Sequence, residues 1–395
     1  MPTAHVPAHQ ARWRAPAALL DEVRRAPGRT RAELARGLGL SSGTATEITA
    51  RLRELELVAE TAAPAGGRGR PTSVLGPHPQ GPLVLVGEIR HEDWRVGVAG
   101  LDGEIAPVAG ARHPHRPEPV LRSLTAAVED GLGRWGRRVR AVSVSVAATV
   151  RDGSLVQAST LGWGAVDLGA LAPPGLALLI GNDATLAGVA EARSGAAAGA
   201  STALHLTVEV GIGGTLVVDG RPAAGATGAG GEFGHMPFGD RALSCPCGAR
   251  GCWDLEVDGR ALARHLGEPA PVDPRSRLLA AFDEPVPAAR PALDRLAAAL
   301  GAGAAGLVNA LDPQVVTLGG LAAPLHRLPA FREAFDGGLM TFHRTVQPAV
   351  RAAVHGDDGG LRGAAAVGLD EVFSERGIAA WAAGRSTEAE RPPVD

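Results

Sequence analysis

The stretch Gly231-Glu232-Phe233-Gly234-His235, followed after nine intervening residues by Cys245-Pro246-Cys247-Gly248-Ala249-Arg250-Gly251-Cys252, concentrates more chemistry than any other part of this 395-residue sequence. It holds all three cysteines of the chain within eight residues. An odd, clustered set points to metal rather than to disulfides. With His235 the cysteines make a Cys₃His set, which suits tetrahedral zinc in closed coordination. Cys245 and Cys247 flank Pro246, and Gly248 and Gly251 can bend the chain so that Cys252 reaches the same ion. The competing reading is three incidental buried thiols. Four protein ligands leave no open position, so the expected ion is structural.

Around this block, from Leu83 onward, strand-like runs alternate with helix-like runs, the mark of an α/β body. Two strand–loop–strand units recur, Val84 to Gly103 and Leu206 to Gly220, closing on Leu101-Asp102-Gly103 and Val218-Asp219-Gly220. The second contains Val210-Gly211-Ile212-Gly213-Gly214-Thr215, whose glycines let backbone N–H groups approach a phosphate closely. Paired hairpins of this kind suggest a duplicated fold with a cleft between two lobes.

Gly162-Trp163, Gly181-Asn182-Asp183-Ala184, Val210 to Gly214, Gly231 to His235 and Cys245 to Cys252 together resemble the ROK family of sugar kinases and repressors. The resemblance implies a two-lobe, actin-like (ribonuclease H-like) ATPase fold and assigns the zinc ligands position for position: His235, Cys245, Cys247 and Cys252. It further implies that Asp183 occupies the position of the kinases' general base, here vestigial, and that Asn182, Glu232 and His235 bind sugar hydroxyls. Asp254 stands where the family usually has a Glu, one methylene shorter. The alternative for Asp183 is an N-cap on a helix over 184–192. Counted back from Asp102-Gly103, the family's Asp-x-Gly-Gly-Thr phosphate loop falls on Glu88-Ile89-Arg90-His91-Glu92. Side chains replace the glycines, and Glu92 puts negative charge where phosphate oxygens would lie. ATP binding and kinase activity are therefore not expected. Val316 to Leu321 resembles the adenosine-side loop.

The first 76 residues read as a winged helix-turn-helix. Leu19, Leu20 and Val23 lie on one amphipathic helix, Thr30 and Glu33 form a capping box for a second, Arg31 to Leu38, and Ser41 begins a third that runs to about Leu57. Ala45, Ile48, Leu52 and Leu55 form the expected buried stripe of the third helix. Ser41, Ser42, Thr44 and Thr46 are left to contact DNA at its N-terminus. Two short strands, Leu57 to Glu60 and Ser73 to Leu75, flank Gly66-Gly67-Arg68-Gly69-Arg70-Pro71. That is the layout of a wing, with Arg68 and Arg70 suited to a minor groove. A helical protein-interaction module with a linker is the plainer alternative.

Charge agrees with this division. Residues 1–75 hold eleven Arg and seven acidic residues, whereas the whole chain is at −3. A basic head on an acidic body suits DNA binding joined to small-molecule sensing. The sequence has no run long enough for a membrane span and no secretory pattern at its start, so a cytoplasmic protein is expected. The expected organisation is a head at 1–76, a ROK body at 80–373 and a disordered tail at 374–395. Within the body, lobe 1 covers about 80–181 plus the C-terminal helix, and lobe 2 about 182–360. The expected partners are operator DNA with an inverted repeat, a sugar or sugar phosphate, and further copies of the chain in a homodimer or homotetramer. The runner-up is an active ATP-dependent sugar kinase carrying a DNA-binding head.

Overall fold

A computed structural model describes residues 12–62, 73–113, 116–151, 153–158, 161–283 and 287–389. In the head, α1 (Arg14–Arg25) buries Leu19, Leu20 and Val23. Helix α2 (Arg31–Gly37) opens on the full capping box: Glu33 N–H donates to the Thr30 hydroxyl, and Thr30 N–H donates to the Glu33 carboxylate. Helix α3 (Ser42–Glu54) is capped by Ser41, which accepts from Thr44 N–H at 3.1 Å. Its buried stripe is Ala45, Thr49 and Leu52, with Ile48 and Leu55 only half-buried. Thr49 escaped the sequence pattern because its hydroxyl is satisfied locally, donating to Ala45 C=O at 2.7 Å. Strands β1 (Val58–Ala62) and β2 (Ser73–Pro77) pair antiparallel from Val58 opposite Pro77 to Ala62 opposite Ser73. The expected wing tip, with Arg68 and Arg70, lies outside the described residues.

The body holds two five-stranded sheets built to one plan. In the first, β3 (Leu83–Ile89), β4 (Asp93–Ala99) and β5 (Ile105–Arg112) form an antiparallel meander followed by helix α4 (Pro117–Trp135). Then β6 (Val139–Val146) lies parallel to β3. A small hairpin, β7 (Thr149–Arg151) and β8 (Ser154–Gln157), precedes β9 (Ala177–Asn182), giving the order β5-β4-β3-β6-β9. Helix α5 (Asp183–Ser194) leads to the second sheet. Its strands are β10 (Thr202–Glu209), β11 (Gly211–Val218), β12 (Arg221–Pro222), β13 (Val315–Gly320) and β14 (Ala349–Ala352), in the order β12-β11-β10-β13-β14. The two hairpins read as repeats are thus β3–β4 and β10–β11. Most of the glycine-rich stretch is strand rather than loop, because Gly213 and Gly214 sit opposite Thr207 and Leu206 in the β10–β11 ladder.

Helices α6 (Gly259–Leu266), α7 (Pro274–Asp283), α8 (Arg290–Leu311) and α9 (Pro329–Gly338) contribute to the second lobe's core, where Leu296, Leu300, Leu307, Phe331 and Phe335 are buried. Helix α10 (Gly359–Val372) returns to the first lobe and packs on β3, β6 and α5. A Cβ at Gly363 would come within 1.9 Å of Leu186 C=O, so only glycine permits that approach of α10 to α5.

The sequence reading needs correction at the C-terminus. Glu375–Ala389 form a helix, α11, where disorder was expected from 374 onward. Polar composition suggested a tail, yet Ile378 and Trp381 are buried, Trp381 Nε1 donates to Leu55 C=O at 2.7 Å, and Arg385 pairs with Glu56 at 2.6 Å. Helix α11 therefore docks on the head, and one apolar cluster runs from Leu19, Leu34 and Leu52 through Val84 and Leu369 to Trp381. Among the described residues, no helix is long and apolar enough to cross a membrane.

Candidate functional site

A cavity of about 290 Å³ opens between the two sheets. Its floor is the junction of β9 and α5. Asn182 caps α5, accepting from Thr185 N–H at 2.9 Å, while its amide donates to Ala148 C=O and to Asp183 Oδ1, each at 3.1 Å. The helix cap is thus Asn182 rather than Asp183. Asp183 accepts from Ala184 N–H at 2.8 Å and makes no ion pair among the described residues. Desolvation on the cleft floor, reinforced by the charges of Glu88 and Glu209, pushes its carboxyl up to about 7.

Opposite Asp183, a single helical turn, Phe233–His235, follows Glu232. Glu232 Oε1 accepts from the Thr149 hydroxyl at 3.0 Å, and its other oxygen lies 3.8 Å from His235 Nε2. His235 turns its other nitrogen, Nδ1, away from Glu232, to 3.8 Å from Cys245 Sγ. Asp254 Oδ1 accepts from Ile212 N–H at 2.6 Å, so one of its oxygens is spent on anchoring the glycine-rich stretch. Asn182, Asp183, Glu232, His235 and Asp254 all line the one cavity. Thr149 was missed from the sequence, since nothing local marks it as a partner for Glu232.

The ligand atoms of His235, Cys245, Cys247 and Cys252 all lie within 4.8 Å of one another. Cys247 Sγ and Cys252 Sγ are 3.6 Å apart, too far for a disulfide. Sulfurs on a tetrahedral zinc with bonds of about 2.3 Å would be spaced roughly 3.8 Å apart. The chain is folded for this convergence: Cys245 N–H donates to Ala249 C=O, Gly248 N–H donates to Cys245 C=O, and Gly248 and Gly251 have φ of 95° and 73°. The donor set and its spacing fit a metal ion.

On the side where a phosphate loop was sought, the β3–β4 turn is Arg90-His91-Glu92. Arg90 grips Asp93 with two bonds, at 2.7 and 2.6 Å. Glu88 is buried beneath, 3% exposed, and pairs with Arg95 at 2.6 Å. Arg95 also reaches Asp358 at 2.6 Å, and Arg275 of α7 binds Glu209 and Asp357. The partners across the cleft were not visible in the sequence, because Arg95 and Asp358 are 263 positions apart and Arg275 and Glu209 are 66 apart.

In the head, Ser41, Ser42, Thr44 and Thr46 are all exposed at the start of α3. Ser41 and Thr44 hydroxyls share a 2.8 Å bond and Thr46 donates to Ser42 C=O at 2.8 Å, so each retains lone pairs and the first two retain one donor for an outside partner. The head is tied to the body by Arg24, which donates to Asp370 at 2.7 Å and to Ala366 C=O, and by Arg193, which bridges Asp21 at 3.0 Å and Asp370 at 2.5 Å.

The ROK family matches residues 89–371 of this sequence, and the MarR family matches residues 14–69. The chain belongs to the ROK family. Its ROK part is 31% identical over 246 residues to a glucokinase of Streptomyces coelicolor, covering 57% of this chain and 77% of the relative. An N-acetyl-D-glucosamine kinase of Pectobacterium carotovorum is 31% identical over 205 residues, covering 48% and 66%. The solved ROK glucokinase of Streptomyces griseus, in complex with glucose and AMPPNP, has a TM-score of 0.61 at 27% identity, covering 72% of this chain and 98% of that one. A ROK family transcriptional regulator homologous to the E. coli MLC protein shares the fold over 94% of this chain and 99% of its own, with a TM-score of 0.73 at 21% identity. The fold is therefore a MarR-type winged helix followed by an actin-like ROK body.

Proposed function

We infer that this ROK protein is a cytoplasmic, DNA-binding transcriptional regulator, a repressor in its simplest form, whose body senses a sugar. The observation that carries this is the course of α5. Its first turn presents Asn182 and Asp183 to the cleft, and its last turn carries Arg193, which is ion-paired to Asp21 in the head and to Asp370. A sugar held by Asn182, Asp183, Glu232 and His235, with Asp254 supporting the loop beside them, thus bears on the helix that anchors the head. Closing of the lobes is the two-state element, and the sugar biases it through its greater affinity for the closed form. A homodimer or homotetramer would set two α3 helices in the half-sites of an inverted-repeat operator.

His235, Cys245, Cys247 and Cys252 hold a structural zinc in this reading. When bound, the ion crosslinks the 235–252 segment. His235 would serve as a ligand through Nδ1, which lies 3.8 Å from Cys245 Sγ, and would keep Nε2, beside Glu232, for a sugar hydroxyl.

Phosphoryl transfer depends on a cradle for the phosphates, and Arg90, His91 and Glu92 fill that turn with side chains. The body is therefore read as a sensor without kinase activity. The second reading, an ATP-dependent sugar kinase with a DNA-binding head, is favoured by one feature: Asp183, held at about 7, is tuned as a general base would be. Selection of bound DNA fragments with and without a sugar panel tests the first reading, which expects an enriched inverted repeat whose occupancy changes with one sugar. An ATP-coupled assay on the same panel tests the second. Turnover that vanishes in Asp183→Ala would replace the regulator-only reading.

A further inference from the structure

A cleft that receives phosphate needs unpaired cations or free backbone N–H groups turned toward it. Among the described residues, the lining of this cavity carries eight carboxylates against two guanidiniums. Neither guanidinium is free: Arg90 is held by both oxygens of Asp93, and Arg275 by Glu209 and Asp357. Behind them Arg95 is shared between Glu88 and Asp358 and also donates to Asp357 C=O at 2.7 Å. Arg95 and Arg275 with their carboxylates thus make a network across the cleft, joining the β3–β4 hairpin of the first lobe to Glu209, α7 and the Asp357–Asp358 turn, while Arg90 is held within the hairpin by Asp93.

The carboxylates without an arginine are Asp183, Glu232 and Asp254, on the side where the sugar would sit. Sugar hydroxyls are donors and satisfy such acceptors. A phosphate group brings further acceptors and two negative charges, and among the described residues the lining offers no unpaired guanidinium to receive them. We propose that the cleft takes a monosaccharide in its unphosphorylated form and rejects its phosphate ester. This rests on the sugar-sensing reading above and settles which chemical form is sensed: the substrate side of any sugar kinase reaction, before phosphate is added.

Calorimetric titration of the full-length protein tests this, using glucose, mannose, glucosamine and N-acetylglucosamine, each beside its 6-phosphate. The expected result is that at least one free sugar binds and its ester binds at least tenfold more weakly, with a gap that narrows as salt rises. An ester that binds as well as or better than its parent sugar overturns the proposal but leaves sugar sensing intact. Silence from every sugar and every ester overturns both. Asp357→Asn and Glu209→Gln, each releasing Arg275 from one partner, should raise ester affinity severalfold and move the free sugar less. Ester discrimination unchanged in both variants would show that the network is not its cause and overturn the proposal.

Discussion

Arg193, in the last turn of α5, lies 3.0 Å from Asp21 in the first helix of the head. The same guanidinium holds Asp370, and Asp370 also holds Arg24, whose side chain is only 7% exposed. Removing Asp370 would leave two arginines facing each other without their shared anion. A fully buried pair broken in this way costs about 3–5 kcal/mol. Asp370 itself is 42% exposed, so solvent screening reduces the expected loss for Asp370→Ala to about 1–2 kcal/mol. Urea melts measure that loss. Fluorescence anisotropy with and without sugar should show, in the same variant, that operator affinity no longer responds to sugar. A retained response would mean that coupling runs outside this triad.

The charge state of Asp183 gives stability a pH dependence of known sign. Its carboxyl is raised to about 7, whereas an unfolded Asp titrates near 3.9. Ionising it therefore costs more in the folded protein, and stability falls as pH climbs from about 4 through about 7. The shift corresponds to roughly 4 kcal/mol at most, before relaxation of the cleft. Asp183→Asn removes the charge and keeps an acceptor for Ala184 N–H. Its stabilisation over wild type should be larger at pH 8 than at pH 5, by about 1–3 kcal/mol. Equal stabilisation at both values would mean that the carboxyl is not perturbed.

What the sequence made legible was local. The His–Cys block closes within eighteen residues, the Thr30–Glu33 capping box within four, and each hairpin is bounded by its own turn. Short-range constraints of this kind leave patterns in spacing. What escaped reading depended on distant partners. Helix α11 is polar enough to pass for a tail, and only Leu55 and Glu56, more than 320 positions earlier, give Trp381 and Arg385 a place to dock. The arginine network across the cleft joins residues 66 to 263 positions apart, so no window along the sequence contains it. That side chains fill the Arg90-His91-Glu92 turn was readable, but the pairing of Arg95 and Arg275 across the cleft was not.

The metal prediction separates a zinc centre from incidental thiols. Wild-type protein should carry about one zinc per chain by elemental analysis. Cys247 is exposed, so Cys247→Ser disturbs packing little while removing one donor from the tetrahedral set. Zinc affinity should fall at least roughly tenfold, and the melting temperature should fall with it. No zinc in the wild type, or full zinc in Cys247→Ser, would overturn the assignment of these four residues.

The DNA surface is proposed from α3 and the wing. Ser42, Thr44 and Thr46 are exposed on the first turns of α3, and the Ser41 and Thr44 hydroxyls are bonded to each other at 2.8 Å. Their remaining lone pairs and donors suit base edges and phosphates, whereas Arg68 and Arg70 supply the charge that hydroxyls lack. These two contributions should separate in a salt titration. Counterion release ties the slope of log affinity against log salt to the number of phosphates neutralised, by about 0.9 per contact. Arg68→Ala/Arg70→Ala should therefore weaken binding and flatten the slope by about one to two units. Thr44→Ala/Thr46→Ala should weaken the operator over random DNA and leave the slope nearly unchanged, because hydroxyls release no counterions. If the wing arginines enter a narrow minor groove, their loss should depend on A·T content at the flanks of each half-site. An unchanged slope in the double arginine variant would reduce the wing to a linker, and undiminished operator preference in the threonine variant would move recognition away from the start of α3.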